Sequence, residues 1–239
     1  MKTWQEDLLD LFGEEVERED AVFARVQAAA AALGFEHVAY GCKAPLPLST
    51  PRITLLSNYP SAWQKRYAEA GYLQVDPTVL HGSRSRIPVV WSDRLFEATP
   101  ALWNEAREHG LRTGWAQSSL DGFGVGGMLT LASSRPQLDP HELAAHQQKM
   151  RWLAHMAHML LSRQLRAQPE ASPEGLTGRE VEILQWSADG KSAQDIADIL
   201  AVSKNTVDFH IRNAVGKLQA ANKTAAVVRA ALLGMLTRT

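Results

Sequence analysis

Cysteine is nearly absent: Cys42 stands alone in 239 residues. No intrachain disulfide can form, which excludes a disulfide-stapled scaffold and fits a reducing compartment. A single cysteine of this kind reads as a small core residue. Long apolar runs are missing too, and nothing approaches the ~18 consecutive apolar residues of a membrane span. Neither sign of charge dominates, with 25 Lys and Arg against 26 Asp and Glu and a formal net charge of −1. Coating nucleic acid by bulk charge is therefore excluded, but a local reading head is not. The opening MKTWQEDLLDLFGEEVERED is acidic and amphipathic, so no signal peptide or membrane association is expected. The hydrophobic fraction of 45% and charged fraction of 21% exclude wholesale disorder and leave enough apolar surface for a core. A cytoplasmic protein of one or two domains is expected.

Proline is absent after Pro173, although the chain holds eleven. RAQPEASPEG, residues 166–175, lacks periodicity and reads as a linker. We therefore expect an N-terminal domain over 1–165 and a C-terminal domain over 176–239. The latter, free of helix breakers, should be all helical.

The first domain reads as mixed α and β. Helices are predicted over 3–17, 20–33, 60–70, 100–109 and about 140–165, with Gly34 and Gly110 as stops. Strands are predicted over 36–42, 52–57, 115–119 and 125–133. Asp76-Pro77 has the form of an N-cap followed by proline at the first helical position. In the second domain four helices are predicted. Thr177 and Glu180 have capping-box spacing, Gly190 ends the first helix, and Ser192 and Ser203 cap the next two. Val207, Ile211, Ala214 and Leu218 form a core stripe on the third helix. Asn205, Asp208 and Arg212 lie away from it, with Lys204 and Thr206 at the helix start. A short helix, a tight turn at Ala201-Val202 and a polar-faced helix follow helix-turn-helix logic, in which the second helix enters the major groove.

Chemistry-bearing groups in the first domain are Tyr59, Trp63 and Tyr67, spaced as one aromatic stripe, followed by Asp76 and Trp91. An aromatic stripe alone is ordinarily core. A carboxylate and an indole N–H beside it suit a small ligand bearing an amide and carbonyls. For Asp76 alone, the helix cap suffices as an explanation. For Asp208, an i,i+4 salt bridge with Arg212 is the plain alternative to reading a base.

Other signals carry less. Gly122, Gly124 and Gly127 spell a dinucleotide-type motif, but the strand-like MLTLAS follows where a helix is needed. His141, His146, His155 and His158 share a helix without cysteines or clustered carboxylates, so neither a metal nor a cofactor is expected. No nucleophile elbow or metal-protease motif is present, so the chain is not expected to be an enzyme. A phosphoacceptor receiver domain would need an acidic pair by its first strand, and here the acids lie on amphipathic helices.

Leu176-Thr177, Arg179-Glu180, Leu184, Gly190-Lys191, Ile196-Ala197, Leu200, Val202-Ser203, Thr206-Val207, His210-Ile211, Asn213, Lys217-Leu218 and Asn222-Lys223 together resemble the LuxR-type helix-turn-helix signature. The pattern SNYPSAWQKRYAEAGYLQVDPTV, then VVW and HGLRTGW, resembles the autoinducer-binding domain of quorum-sensing LuxR-type regulators, with matches on Trp63, Tyr67, Asp76, Pro77, Trp91 and Gly114. The resemblance implies an α+β chain: an N-terminal α/β/α sandwich with an antiparallel sheet, linked to a four-helix DNA-binding domain. It also implies an N-acyl-homoserine lactone ligand. Trp91 would bind the lactone carbonyl and Asp76 the amide N–H. Tyr59 or Thr130 would hold the acyl carbonyl, and Trp63 and Tyr67 would line the sleeve. The segment YGCKAPLPLS and the run into HGLRTGW look closest to regulators that take octanoyl-like chains. Lys204, Asn205, Thr206, Asp208, His210, Arg212 and Asn213 would form the DNA-binding set. Asp208 departs from the basic or neutral residue frequent at that position. A homodimer on an inverted-repeat promoter site is expected, with the 140–165 helix and a Val228, Leu232, Met235 stripe at its seam and RNA polymerase as a further partner. A ligand-independent regulator of the same family is the alternative.

Overall fold

The computed structural model describes residues 18–44, 46–121, 124–166 and 175–236. The helix expected over 3–17 lies outside them, as does most of the linker. The described residues form two compact units. The first carries α1 (Glu19–Ala32), β1 (His37–Lys43), β2 (Ile53–Ser57), α2 (Ser61–Glu69) and a 3-10 turn at Tyr72–Gln74. It continues with α3 (Pro77–Gly82), β3 (Val89–Val90), α4 (Pro100–Glu108), β4 (Thr113–Leu120), β5 (Gly126–Ser133) and α5 (Pro140–Arg166). Every expected element among the described residues is present. The short β3 was not expected, because two residues after a proline show no alternation.

The strands form one antiparallel sheet in the order β2-β1-β5-β4-β3. Alternation assigns its faces. Val38, Tyr40 and Cys42 of β1 align with Leu131, Leu129 and Gly127 of β5. Val38, Tyr40, Cys42, Leu129 and Leu131 join Trp115 in a core with Val22, Val26 and Ala30 of α1 and Met150, Leu153, Ala157 and Leu161 of α5. Cys42 is thus a core residue. Of the four histidines on α5, His158 is fully buried. Its Nε2 faces the Val125 carbonyl at 3.1 Å, so that nitrogen donates, and Nδ1 accepts from the Tyr40 hydroxyl at 2.8 Å. That satisfies both ring nitrogens inside the core. A strand follows Gly124, as a nucleotide motif would not allow.

The opposite face of the sheet is covered by α2, the 3-10 turn, α3 and α4. Its core holds Trp63, Tyr72, Phe96, Leu102, Trp103, Ala106, Leu111 and Ala132. Helices on both faces of an antiparallel sheet make the α/β/α sandwich. No described helix is long and apolar enough to cross a membrane.

The second unit holds α6 (Gly178–Ala188), α7 (Ala193–Ile199), α8 (Lys204–Lys217) and α9 (Lys223–Leu232). Thr177 with Glu180 and Ser192 with Asp195 form complete capping boxes, while Ser203 and Asn222 cap the remaining helices. The turn between α7 and α8 places Ala201 at a φ of 51°, the left-handed conformation that makes the turn tight. Leu184, Ala214, Leu218, Ala226 and Ala230 bury one side of α8, and Ile183, Ile196, Ala197 and Val207 the other.

One ion pair pins the unit. The Glu180 carboxylate is buried and receives Lys217 Nζ at 2.9 Å and the Thr177 N–H at 2.7 Å. Burial alone would raise its pKa, but these hydrogen bonds outweigh burial and hold it below the usual range. A depressed folded-state pKa adds stability above the unfolded value, and that stability is lost as pH falls through the folded one. Lys217→Ala should destabilise the second unit by about 3 kcal/mol in urea melts at neutral pH, because it leaves a buried charge unpaired. The loss should shrink as pH drops below about 4.

Candidate functional site

Strand alternation also sets the floor of the candidate ligand site. On the face turned toward α2 and α4, β1 presents Ala39 and Gly41, β5 presents Thr130 and Ala132, and β4 presents Gly114 and Ala116. All are small. Thr130 is buried and lies between Ala39 and Ala116 in register. The wall is aromatic. Trp63 stacks on Tyr72 with ring centroids 6.0 Å apart and meets Tyr67 edge-on at 5.7 Å. Tyr59 and Trp91 pack against the same cluster. Small floor and large wall give an apolar, aromatic lining of the kind small-molecule sites use.

Asp76 is the anchoring polar group. It caps α3 as expected: Oδ1 accepts from the Thr78 N–H at 2.8 Å and from the Thr78 hydroxyl at 2.6 Å. Oδ2 accepts from the Tyr67 hydroxyl at 2.9 Å. A carboxylate has about four acceptor positions. Three are occupied, so Oδ2 retains one for a further donor. Burial, then the Asp76 charge, raises the pKa values of Tyr59 and Tyr67, so both hydroxyls stay protonated donors.

Trp91 is the complementary group. Its Nε1 is buried and has no hydrogen-bond partner among the described residues. The indole packs edge-on to Phe96 and Trp103, and its backbone N–H bonds to the Gly114 carbonyl at 2.8 Å. A Cβ on Gly114 would sit 2.4 Å from Trp91 Cδ2, so glycine is what admits the ring. A buried donor without a partner is costly, and a carbonyl oxygen supplied from outside would satisfy it.

Tyr72 and, of the floor, Ala39, Gly41, Ala116 and Ala132 were not singled out from sequence, although small residues at period two in neighbouring strands are a readable signal. His37 also went unnoticed. Its ring lies edge-on to Tyr59 at 6.0 Å, and its buried Nδ1 has no hydrogen-bond partner among the described residues. A groove of about 260 Å³ lies elsewhere, lined by Pro88, Val90, Trp115, Pro140, Leu143, Ala144 and Gln147. Its lining has no charged side chain, so it lacks a carboxylate acceptor like Asp76.

In the second unit, Lys204, Asn205 and Arg212 are exposed on one face of α8, with Asp208 half-buried beside them. Asp208 does not bridge to Arg212. It pairs backwards with Lys204, Nζ to Oδ2 at 2.9 Å. Asp208 stands one turn after Lys204, and the longer lysine folds back over it. Arg212 is left without an ion-pair partner among the described residues. Thr206, His210 and Asn213 sit on the flank of the helix, half-buried. The Thr206 hydroxyl is engaged with Ser203 Oγ at 2.8 Å.

Comparison with known proteins agrees with this division. The model of the autoinducer binding domain matches residues 18–161, and that of the bacterial regulatory proteins of the luxR family matches residues 174–230. The transcriptional activator protein AnoR of Acinetobacter nosocomialis is 44% identical over 99% of this chain and 100% of its own. A crystal structure of Escherichia coli SdiA superposes with a TM-score of 0.85 at 31% identity, covering 98% of both chains. SdiA in complex with octanoyl-rac-glycerol gives 0.83 at 31% identity over the full length of both. The chain belongs to the LuxR family of quorum-sensing transcriptional regulators, an autoinducer-binding domain joined to a helix-turn-helix DNA-binding domain.

Proposed function

We propose that the first unit binds an N-acyl-homoserine lactone and that the chain, as a homodimer, reads an inverted-repeat promoter site through α8. The observation that carries the ligand is the pairing of Trp91 Nε1, a buried donor without a partner, with the remaining acceptor position of Asp76 Oδ2. One donor and one acceptor in an aromatic sleeve suit a lactone carbonyl and an amide N–H. In this reading Tyr59 or Thr130 holds the acyl carbonyl, and Trp63 and Tyr67 line the chain. No catalytic residue and no resident cofactor are assigned. We assign residues 1–165 to ligand binding and dimerisation, 166–175 to the linker and 176–239 to DNA.

The dimer rests on a separate observation. Trp152 and Met159, seven residues apart on α5, are both exposed, at 40% and 48%. Two large apolar groups on one helix face favour a self-complementary seam. In the second unit, Val228 and Leu232 of α9 are assigned to a seam of its own, whereas Met235 also packs into that unit's core. RNA polymerase is the further partner, and the cytoplasm the place of action.

The decisive experiment is expression with and without straight-chain lactones, followed by mass spectrometry of what copurifies and by thermal melts. A ligand that binds only the folded state raises the melting temperature by mass action. Asp76→Asn, which turns a donor toward the ligand N–H, should lower lactone sensitivity about ten- to hundredfold. No copurifying lactone and a melt indifferent to every chain length would establish the ligand-independent alternative.

The reading head makes its own expectations. Arg212→Ala should relax base preference at one position of each half-site by about 1–3 kcal/mol. Asp208→Asn frees Lys204 for phosphate and should tighten binding to all sequences, steepening the salt dependence by about one unit per protomer. Gel shifts with full inverted repeats and single half-sites test both; equal affinity for the two would refute the dimer.

A further inference from the structure

The centre of the exposed face of α8 is not polar. At about 100° per residue, Phe209 lies about 170° around the helix from the mean direction of Val207, Ile211, Ala214 and Leu218, the residues that face the core. Its ring is 52% exposed. Lys204, Asn205, Asp208 and Arg212 lie to one side of it. The residue one heptad on, along the same line, is Gly216, so this line carries no second large side chain after Phe209. A Cβ there would meet nothing within 4 Å, so packing within the chain does not require the glycine. His210 holds the ring from the flank, centroids 5.5 Å apart and planes at 71°.

If α8 lies in the major groove, as proposed above, the residue farthest from the core is the one nearest the base edges. An exposed phenylalanine offers no hydrogen bond. Among the groups that base pairs display in the major groove, the thymine C5-methyl is the apolar one. The polar residues beside the ring, Asn205 and Arg212, suit the neighbouring acceptors and donors.

We infer that Phe209 is a specificity-determining residue of the reading head and that it packs against the C5-methyl of a thymine in each half-site. The contact is apolar, so it adds no charge and does not alter the salt dependence. It excludes cytosine at that position by lost contact and by setting a polar N4 amine against the ring. Asp208, held by Lys204, keeps its charge directed away from the apolar spot.

The test begins with the full-length protein, purified with N-octanoyl-homoserine lactone, and a random duplex pool from which it enriches a site. Each thymine of the enriched site is then replaced by deoxyuridine, which removes only the methyl group. One thymine per half-site should be sensitive, with binding weakened about fourfold for one half-site and about fifteenfold for both. 5-Bromodeoxyuridine, with bromine in place of the methyl, should restore binding to within about twofold. Phe209→Ala should bind the thymine and deoxyuridine sites equally, whereas Phe209→Leu should keep part of the preference. Because the ring is exposed, the Phe209→Ala melting curve should match that of the unaltered protein. An enriched site at which no thymine is methyl-sensitive, or one whose deoxyuridine loss is the same in Phe209→Ala, overturns the role of Phe209 and leaves the DNA-reading function intact. A pool that yields no enriched sequence overturns the DNA-reading function itself, and this inference with it.

Discussion

Alternation along three strands is the constraint on which the first unit depends. β1 and β5 place Val38, Tyr40, Leu129 and Leu131, and β4 places Trp115, on the α1/α5 face, while Ala39, Gly41, Thr130, Ala132, Gly114 and Ala116 lie on the other, with Met128 as its large exception. The large face makes a dry, close-packed core. The small face cannot close against α2 and α4 by itself, because alanine, glycine and threonine do not reach the helices above. Aromatic side chains from the covering segments take up that space, and their rings define the sleeve. Period two in the strands therefore gives the two faces different chemistry: one packs on aliphatic helices, and the other lies beneath aromatic rings that carry polar groups.

Asp76 couples the sleeve to the backbone. Its Oδ1 is committed to the first turn of α3 and its Oδ2 to Tyr67. The carboxylate is thus fixed by two structural duties before any ligand arrives. Preorganisation of this kind lowers the cost of ordering a polar group on binding. Trp91 is fixed by different means, through the glycine beneath its ring and the two aromatic rings at its edges. Acceptor and donor are held rigidly on separate elements, and what they lack is each other's complement.

The second unit reaches order by a different route. Capping side chains satisfy the first turns of its four helices, and the Glu180–Lys217 pair ties α6 to α8. With its core side fixed, α8 turns outward a face that internal contacts hardly constrain. The Lys204–Asp208 pair is local to that face and exposed enough that it adds little stability. Its consequence is electrostatic: the head offers fewer free cations to phosphate than its sequence suggests, so more of the recognition falls to Arg212 and to contacts without charge.

Much of this was legible in the residues themselves. Hydrophobic periodicity, Asp-Pro and Ser caps and helix-ending glycines located the main elements, because these signals act over a few residues and do not depend on tertiary context. The Asp76 cap and the Glu180 capping box were readable for the same reason. β3 was not, since two residues carry no period and Val89 and Val90 become a strand only by pairing with Ala116 and Trp115. The partner of Asp208 was also undetermined, because Lys204 and Arg212 are both four residues away and only side-chain geometry chooses between them. The buried, unpaired Trp91 Nε1 depends on residues far apart in the chain, Gly114, Phe96 and Trp103. The sequence by itself determined which segments are helices and strands and which side chains carry chemistry; tertiary packing alone decided which of those groups are already satisfied and which still need a partner, because hydrogen-bond saturation is a property of neighbours in space.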